Sequence, residues 1–469
     1  MKKLKIINFC LIVLILFFGV AYATELMSGK DISFSNGATN LKANNVQDAI
    51  EELYDKTISD ASCKNVRAPK LGEGLVPVTI ENDGTVKYAD TSKSWYNYCD
   101  KRWANAVILE DGTNYKVGDT ISESDIQSYF VWIPKYKYRL WNVDTPVETA
   151  HEIEIVFDEN DTTDVKGISC KTPMLSGESG NCNNGEYMTH PAFISMGVNG
   201  FWIGKFETGY KGATSVATSQ VNANDTSKVV IKPNAHAWRN INTYNIFLNS
   251  YNYQRNLDSH MMKNTEWGAV AYLSHSKYGT NKKVNVNNNS LYKTGYSALK
   301  TTSQQTYPGT TGDGETYNSV YNTENGYLAS TTGNINGIYD MSGGAWEYVA
   351  GYISGKLGSS GFTASTIAEY DSKYFDVYDA SSTVTSYQYR ILGDATGEFG
   401  PFKFYKDGDN GSRYHASWYI DSSYFVESSN SWFGRGGQYN FGGLSSQFAF
   451  GRDTGGVYAP GGYRIVLAP

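Results

Sequence analysis

The sequence predicts an α+β fold with short strands, two main helices and much irregular loop. Three observations carry this reading. Two strand-like apolar runs occupy residues 129–134 and 201–208. Two segments with helical spacing follow them. A long polar, glycine-containing stretch then leads into short strands and turns. Apolar content of 40% and charged content of 19% over 469 residues suit a folded chain with room for two or three domains.

At the N-terminus, Lys2, Lys3 and Lys5 precede an apolar run over residues 6–20, followed by Ala21-Tyr22-Ala23. This is the pattern of a secretory signal peptide, and the run is borderline in length for a membrane anchor, so residues 1–23 are assigned to one or the other. Either implies export, and therefore a secreted or cell-surface location, with membrane contact only where the segment stays uncleaved. Residues 24–62 read as a stalk or linker. Val46, Ala49, Ile50, Leu53 and Tyr54 repeat at helical spacing, and a single stripe on a short helix needs the head domain or further copies of itself for burial.

Residues 63–128 read as a small β-rich region. Val78 to Ile80 and Thr85 to Tyr88 flank Asn82-Asp83-Gly84, a hairpin turn, with Pro77 at the start of the first strand. Asp158, Glu159, Asp161 and Asp164 are read as a solvated loop. Ile241, Tyr244, Leu248 and Tyr251 mark one face of the first helix. The second starts with Asn264 or Thr265 as N-cap, ends near Gly279, and turns Trp267, Val270, Ala271 and Ser274 inward. His260 and His275 border it and are read as structural or surface residues. Residues 280–333 make a loop long enough to be functional or tied down, for instance by an ion. Asp407-Gly408-Asp409-Asn410-Gly411 hints at a calcium loop, but its glycine is one place early and no acid stands at the twelfth position, so a turn is the reading.

The formal charge is −7, and no basic patch stands out, which argues against nucleic acid as a partner. Without Cys10 of the leader, four cysteines remain: Cys63, Cys99, Cys170 and Cys182. In an exported chain they suggest two disulfides, and proximity favours Cys170–Cys182 and Cys63–Cys99. The 37 tyrosines include a cluster near the C-terminal motif that suits a contact surface.

The most informative block is Gly337-Ile338-Tyr339-Asp340-Met341-Ser342-Gly343-Gly344-Ala345-Trp346-Glu347-Tyr348. Gly343 and Gly344 permit backbone angles that other residues avoid. That freedom lets carbonyls converge with Asp340 and Glu347 as a hard cation such as calcium requires, with Trp346 as the apolar anchor. The block resembles the "G-L-Y-D-M-x-G-N-V-W-E-W" signature of the formylglycine-generating enzyme (sulfatase-modifying factor) family. Residues 262–271 look like that family's "L-P-T-E-A-E-W-E-Y-A", and residues 201–208 like its "F-x-I-x-K-Y-E-V-T" strand. Arg435-Gly436-Gly437-Gln438-Tyr439 looks like "R-G-G-S-W", and Gly462-Tyr463-Arg464-Ile465-Val466 like the terminal "G-F-R-V".

The resemblance implies a C-type-lectin-like head over residues 129–469 and a structural calcium site at Asp340, Glu347 and the carbonyls of Gly343 and Ala345. The family's oxidase chemistry needs two cysteines after "R-G-G-S-[WY]" to bind copper, and the matching positions here are Phe441 and Ser446. No copper is expected, and no catalytic residue is assigned. The family's groove places a ligand surface at Trp432, Gln438, Tyr439, Asn440, Phe441, Ser446, Gln447 and Phe448. Variable ligand-binding proteins diversified by retroelements share this fold, and the segment from Trp432 to Gly456 is similar to their variable region. Residues 40–53 are similar to "A-T-N-V-Q-x-A-I-x-E-L" segments of trimeric phage tail fibres, which implies a homotrimer through residues 40–56. The expectation is an exported, non-enzymatic binding protein for an extracellular protein or glycan. The alternatives are an enzyme of this family with a divergent centre, or a structural part of a surface or tail-like assembly.

Overall fold

A computed structural model describes residues 32–33, 42–50, 52–53, 66–139, 152–157, 187–298, 317–378, 391, 393–396, 405–406, 414–415, 419 and 421–469. The chain divides into two units, Met1–Lys64 and Asn65–Pro469. In the first, residues 46–50 and 52–53 are helical. Glu52 accepts the Lys42 and Ala43 N–H groups, and Ala43 and Ala49 are buried. Ile50 and Leu53, on the expected stripe, stay 43% and 46% exposed.

The second unit is α+β. Its larger sheet has eight strands, in the order His260–Met261, Ile465–Leu467, Gly200–Gly204, Ile126–Pro134, Asn105–Leu109, Val76–Ile80, Val86–Tyr88 and Thr120–Ile121. Every neighbouring pair is antiparallel. The residues expected to form a separate region over 63–128 therefore supply four strands to the sheet of the head. The Asn82-Asp83-Gly84 hairpin forms as expected: Ile80 opposes Val86, Asp83 accepts the Thr85 N–H at 2.8 Å, and Gly84 has φ +91°. The central strands bury both faces, so Tyr129 through Ile133 are all in the core.

A smaller sheet orders Asp376–Tyr378, Trp346–Ile353, Trp432–Arg435 and Phe450–Asp453, and Gly461–Tyr463 pairs in parallel with residues 346–348. The segment 461–467 thus serves both sheets, with Arg464 at the joint.

Two eleven-residue helices stand among the described residues. Thr243–Tyr253 is capped by Asn242, which accepts the Asn245 N–H at 2.9 Å. Its buried face is Ile246, Phe247, Ser250 and Tyr253. Of the expected stripe, Ile241 is buried, whereas Tyr244, Leu248 and Tyr251 are half-buried, the two tyrosines against the rings of Phe362 and Tyr370. The Asn264–Ser274 helix is buried on all sides, so no single inner face exists. Its N-cap is Lys263, one residue before the expected position, because Glu266 reaches back to accept the Lys263 N–H at 2.8 Å. His260 and His275 are both buried.

Cys99 is disulfide-bonded, and the other cysteines lie outside the described residues. So do the acidic group at 158–164 and the segment 407–411.

Candidate functional site

The turn at 337–348 depends on three left-handed residues: Asp340 at φ +63°, Gly343 at +79° and Gly344 at +69°. A Cβ on Gly343 would sit 2.5 Å from the Asn287 carbonyl oxygen, and one on Gly344 would sit 2.2 Å from Glu207 Oε1. For a non-glycine residue the left-handed region is costly, and Asp340 is held there by its side chain. Its Oδ1 accepts from Asn287 Nδ2 at 2.8 Å and from the Gly295 N–H at 2.9 Å, and Oδ2 takes the same N–H at 3.0 Å. These bonds tie the long loop after residue 280 to the turn.

The turn presents an amide inward. The Ala345 N–H donates to Glu207 Oε1 at 2.8 Å, and Glu207 Oε2 is buried without a hydrogen-bond partner. Glu347 pairs side-on with Arg464, whose Nε and Nη2 donate to Oε2 and Oε1 at 3.0 and 2.6 Å. The same guanidinium donates to the carbonyls of Gly204 and Tyr339 at 2.8 and 3.0 Å. Glu207, Asp340, Glu347 and Arg464 are each at most 1% exposed. Burial pushes Asp340 up to about 6 against the pull of Arg464 and of its N–H donors. Burial, then the charges of Asp340 and Glu347, raises Glu207 well above the usual carboxylate range. Burial also raises Glu347, although Arg464 opposes it.

Of the four expected calcium ligands, the two carboxylates are already engaged by other groups. Both oxygens of Glu347 are occupied by Arg464, and both oxygens of Asp340 face N–H donors. A hard cation needs free oxygen lone pairs converging on one point. Among the described residues, no group of three or more His, Cys, Asp or Glu side chains is placed to hold a metal ion.

The expected ligand surface divides in two. Trp432, Ser446, Gln447 and Phe448 are core residues, which corrects their assignment to a groove. Trp432 stacks on Tyr352 and Phe362 and donates its indole N–H to the Leu357 carbonyl. Ser446 donates to Asp421. Gln447 donates to the Lys282 carbonyl and accepts the Val284 N–H. Phe448 packs against His275 and Tyr419. Gln438, Tyr439 and Phe441 are half-buried and Asn440 is exposed, so these four remain at the surface.

Around them the structure gathers Trp346, the expected anchor of the turn, with residues that the sequence did not single out. Tyr439 meets Tyr292 edge-on at 4.8 Å, and Tyr292, itself left-handed at φ +52°, lies over the Arg239 guanidinium at 3.6 Å. Burial, opposed by Arg239, pushes the Tyr292 hydroxyl up to about 12, with Tyr439 and Tyr458 close enough to contribute. Phe441 meets Trp346 edge-on at 5.3 Å. Trp346 lies across the sheet where Gly434 and Gly451 leave no side chain, since a Cβ on either would strike the indole. The Tyr439 N–H donates to the Gly344 carbonyl at 3.0 Å, which joins this face to the turn. Leu291 and Val457 are 44% and 49% exposed. Only the length of the loop at 280–333 hinted at Tyr292, and nothing local marks Arg239. No protein-family model matches the chain, and no curated protein matches it.

Proposed function

We propose that this chain is an exported or surface-anchored, non-enzymatic binding protein whose ligand face is built from Tyr292, Trp346, Tyr439, Asn440 and Phe441. One observation carries the reading: half-buried aromatic side chains from three distant segments meet in edge-on pairs over a rigid polar support. Tyrosine and tryptophan held in this way give large contact area at small entropic cost. The likeness to formylglycine-generating enzymes and to C-type-lectin-like heads draws support from the Glu347–Arg464 pair, which joins two of the motifs that suggested it. The non-enzymatic part rests on Phe441 and Ser446 at the positions of the family's cysteine pair, where Phe441 packs on Trp346 and Ser446 bonds Asp421.

The test is a screen of the purified chain on arrays of cell-surface proteins and glycans, repeated with Tyr439→Ala and with Phe441→Ser. Each variant is expected to weaken a hit by at least about tenfold, roughly 1.4 kcal/mol, with the circular dichroism spectrum unchanged. Hits indifferent to both changes, or oxygen uptake in the presence of a cysteine peptide, would rule the reading out.

A second reading, membership of a trimeric assembly, is favoured by Ile50 and Leu53, which expose one helical stripe in the N-terminal unit. Light scattering of the whole chain with and without Leu53→Asp checks it: a trimer that dissociates supports assembly through this stripe.

A further inference from the structure

The calcium ion implied at residues 337–348 would do a mechanical job, joining the turn to the strands beside it. We propose that two buried side-chain cations, Lys205 and Arg464, do that job in its place, so that the turn forms without a bound metal. The inference does not depend on what the aromatic face binds.

Lys205 lies just beyond the Gly200–Gly204 strand and is wholly buried. Its ammonium donates to Asn105 Oδ1 at 2.9 Å, to the Ile335 carbonyl at 2.6 Å and to the Gly337 carbonyl at 2.8 Å. A protonated lysine has three N–H groups and no lone pair, so this set uses the group completely. Two backbone carbonyls and a carboxamide oxygen are also the hard donors that a calcium ion collects. The Tyr339 ring, 5.6 Å from Nζ, adds its face to the cage. Burial alone pushes the amine toward its neutral form. A neutral amine, however, has only two N–H groups and would turn its lone pair toward one of three acceptor oxygens, so the acceptor set selects the charged form.

Arg464 repeats the arrangement at Tyr339 and Glu347 of the turn. It holds both oxygens of Glu347 and the carbonyls of Gly204 and Tyr339. The two cations therefore connect the end of one strand, the C-terminal segment and the start of the turn through oxygen acceptors alone. A calcium ion bound through Glu347 would first have to displace a buried guanidinium.

The test is calorimetry of the full chain in millimolar calcium and in chelator. Identical melting temperatures and no saturable heat of calcium binding are expected. A melting temperature that falls in chelator, or calcium binding that Glu347→Gln abolishes, overturns the proposal. As a second arm, Lys205→Met is expected to melt lower by the same amount in both buffers. Restoration of that variant by calcium would also overturn it.

Discussion

Two positions apart, just beyond one strand, Lys205 and Glu207 direct an ammonium and a carboxyl group into the same turn. Lys205 finds a full set of acceptors, whereas Glu207 leaves Oε2 without a partner beside two other carboxyls. A buried carboxylate in that position is costly and a neutral acid much less so. Because the folded-state pKa lies above the unfolded one, this group's contribution to stability is complete below about pH 4. It is lost as the pH rises through the folded value, and Asp340 behaves in the same way as the pH climbs toward about 6. Wild-type stability is therefore expected to fall from pH 5 to pH 8, and Glu207→Gln should flatten that fall by up to about 1.4 kcal/mol per pH unit. Urea unfolding at several pH values measures it, and parallel profiles would show that Glu207 is ionised in the folded chain. The neighbouring pair responds differently. Arg464→Met strands Glu347 in the core and is expected to cost about 3–5 kcal/mol. Arg464→Lys, which keeps the charge but not the bidentate geometry, should fall between.

At the scale of the element, what the sequence disclosed follows from how local each cause is. The Asn82-Asp83-Gly84 hairpin was legible because Asp83 bonds a backbone two residues away and Gly84 takes the positive φ. The Asn264–Ser274 helix was found to within one residue at its start, since Glu266 lies three residues from the N–H it caps. Its end was not, because the chain leaves the helix at His275 and Gly279 belongs to a separate turn. Residues 432–448 misled for the opposite reason. They have no period, and the burial of Trp432 and Gln447 is decided by Leu357 and Lys282, which are far off in sequence. The glycines opposite Trp346 show the same non-local logic. Ideal Cβ atoms on Gly434 and Gly451 would lie 1.4 and 2.3 Å from the indole. Gly434→Ala and Gly451→Ala are each expected to lift Trp346 off the sheet at a cost of about 1–3 kcal/mol. A shift in tryptophan fluorescence with weaker ligand binding would register the change, and unaltered emission would mean that the indole seat is dispensable.

For the whole molecule, the boundary between the two units makes a sharper claim than the stalk read from composition. The Asn65–Pro469 unit begins before its first strand, and the lead-in has a definite task. Trp132 and Trp202 pack together in the centre of the large sheet and donate their indole N–H groups to the carbonyls of Arg67 and Lys70. Both rings are at most 1% exposed, so water does not replace those acceptors while the sheet is intact. A chain beginning at Asn65 keeps both acceptors and is the reference for the comparison. A chain beginning at Gly72 loses both acceptors and leaves two buried donors unpaired, at about 1–3 kcal/mol each. Calorimetry of the two truncated chains separates the cases. Equal melting temperatures would show that the strand, and not its lead-in, sets the start of the folded unit. A lower one for the shorter chain would place the head's N-terminal limit between Asn65 and Lys70, where sequence composition changes very little.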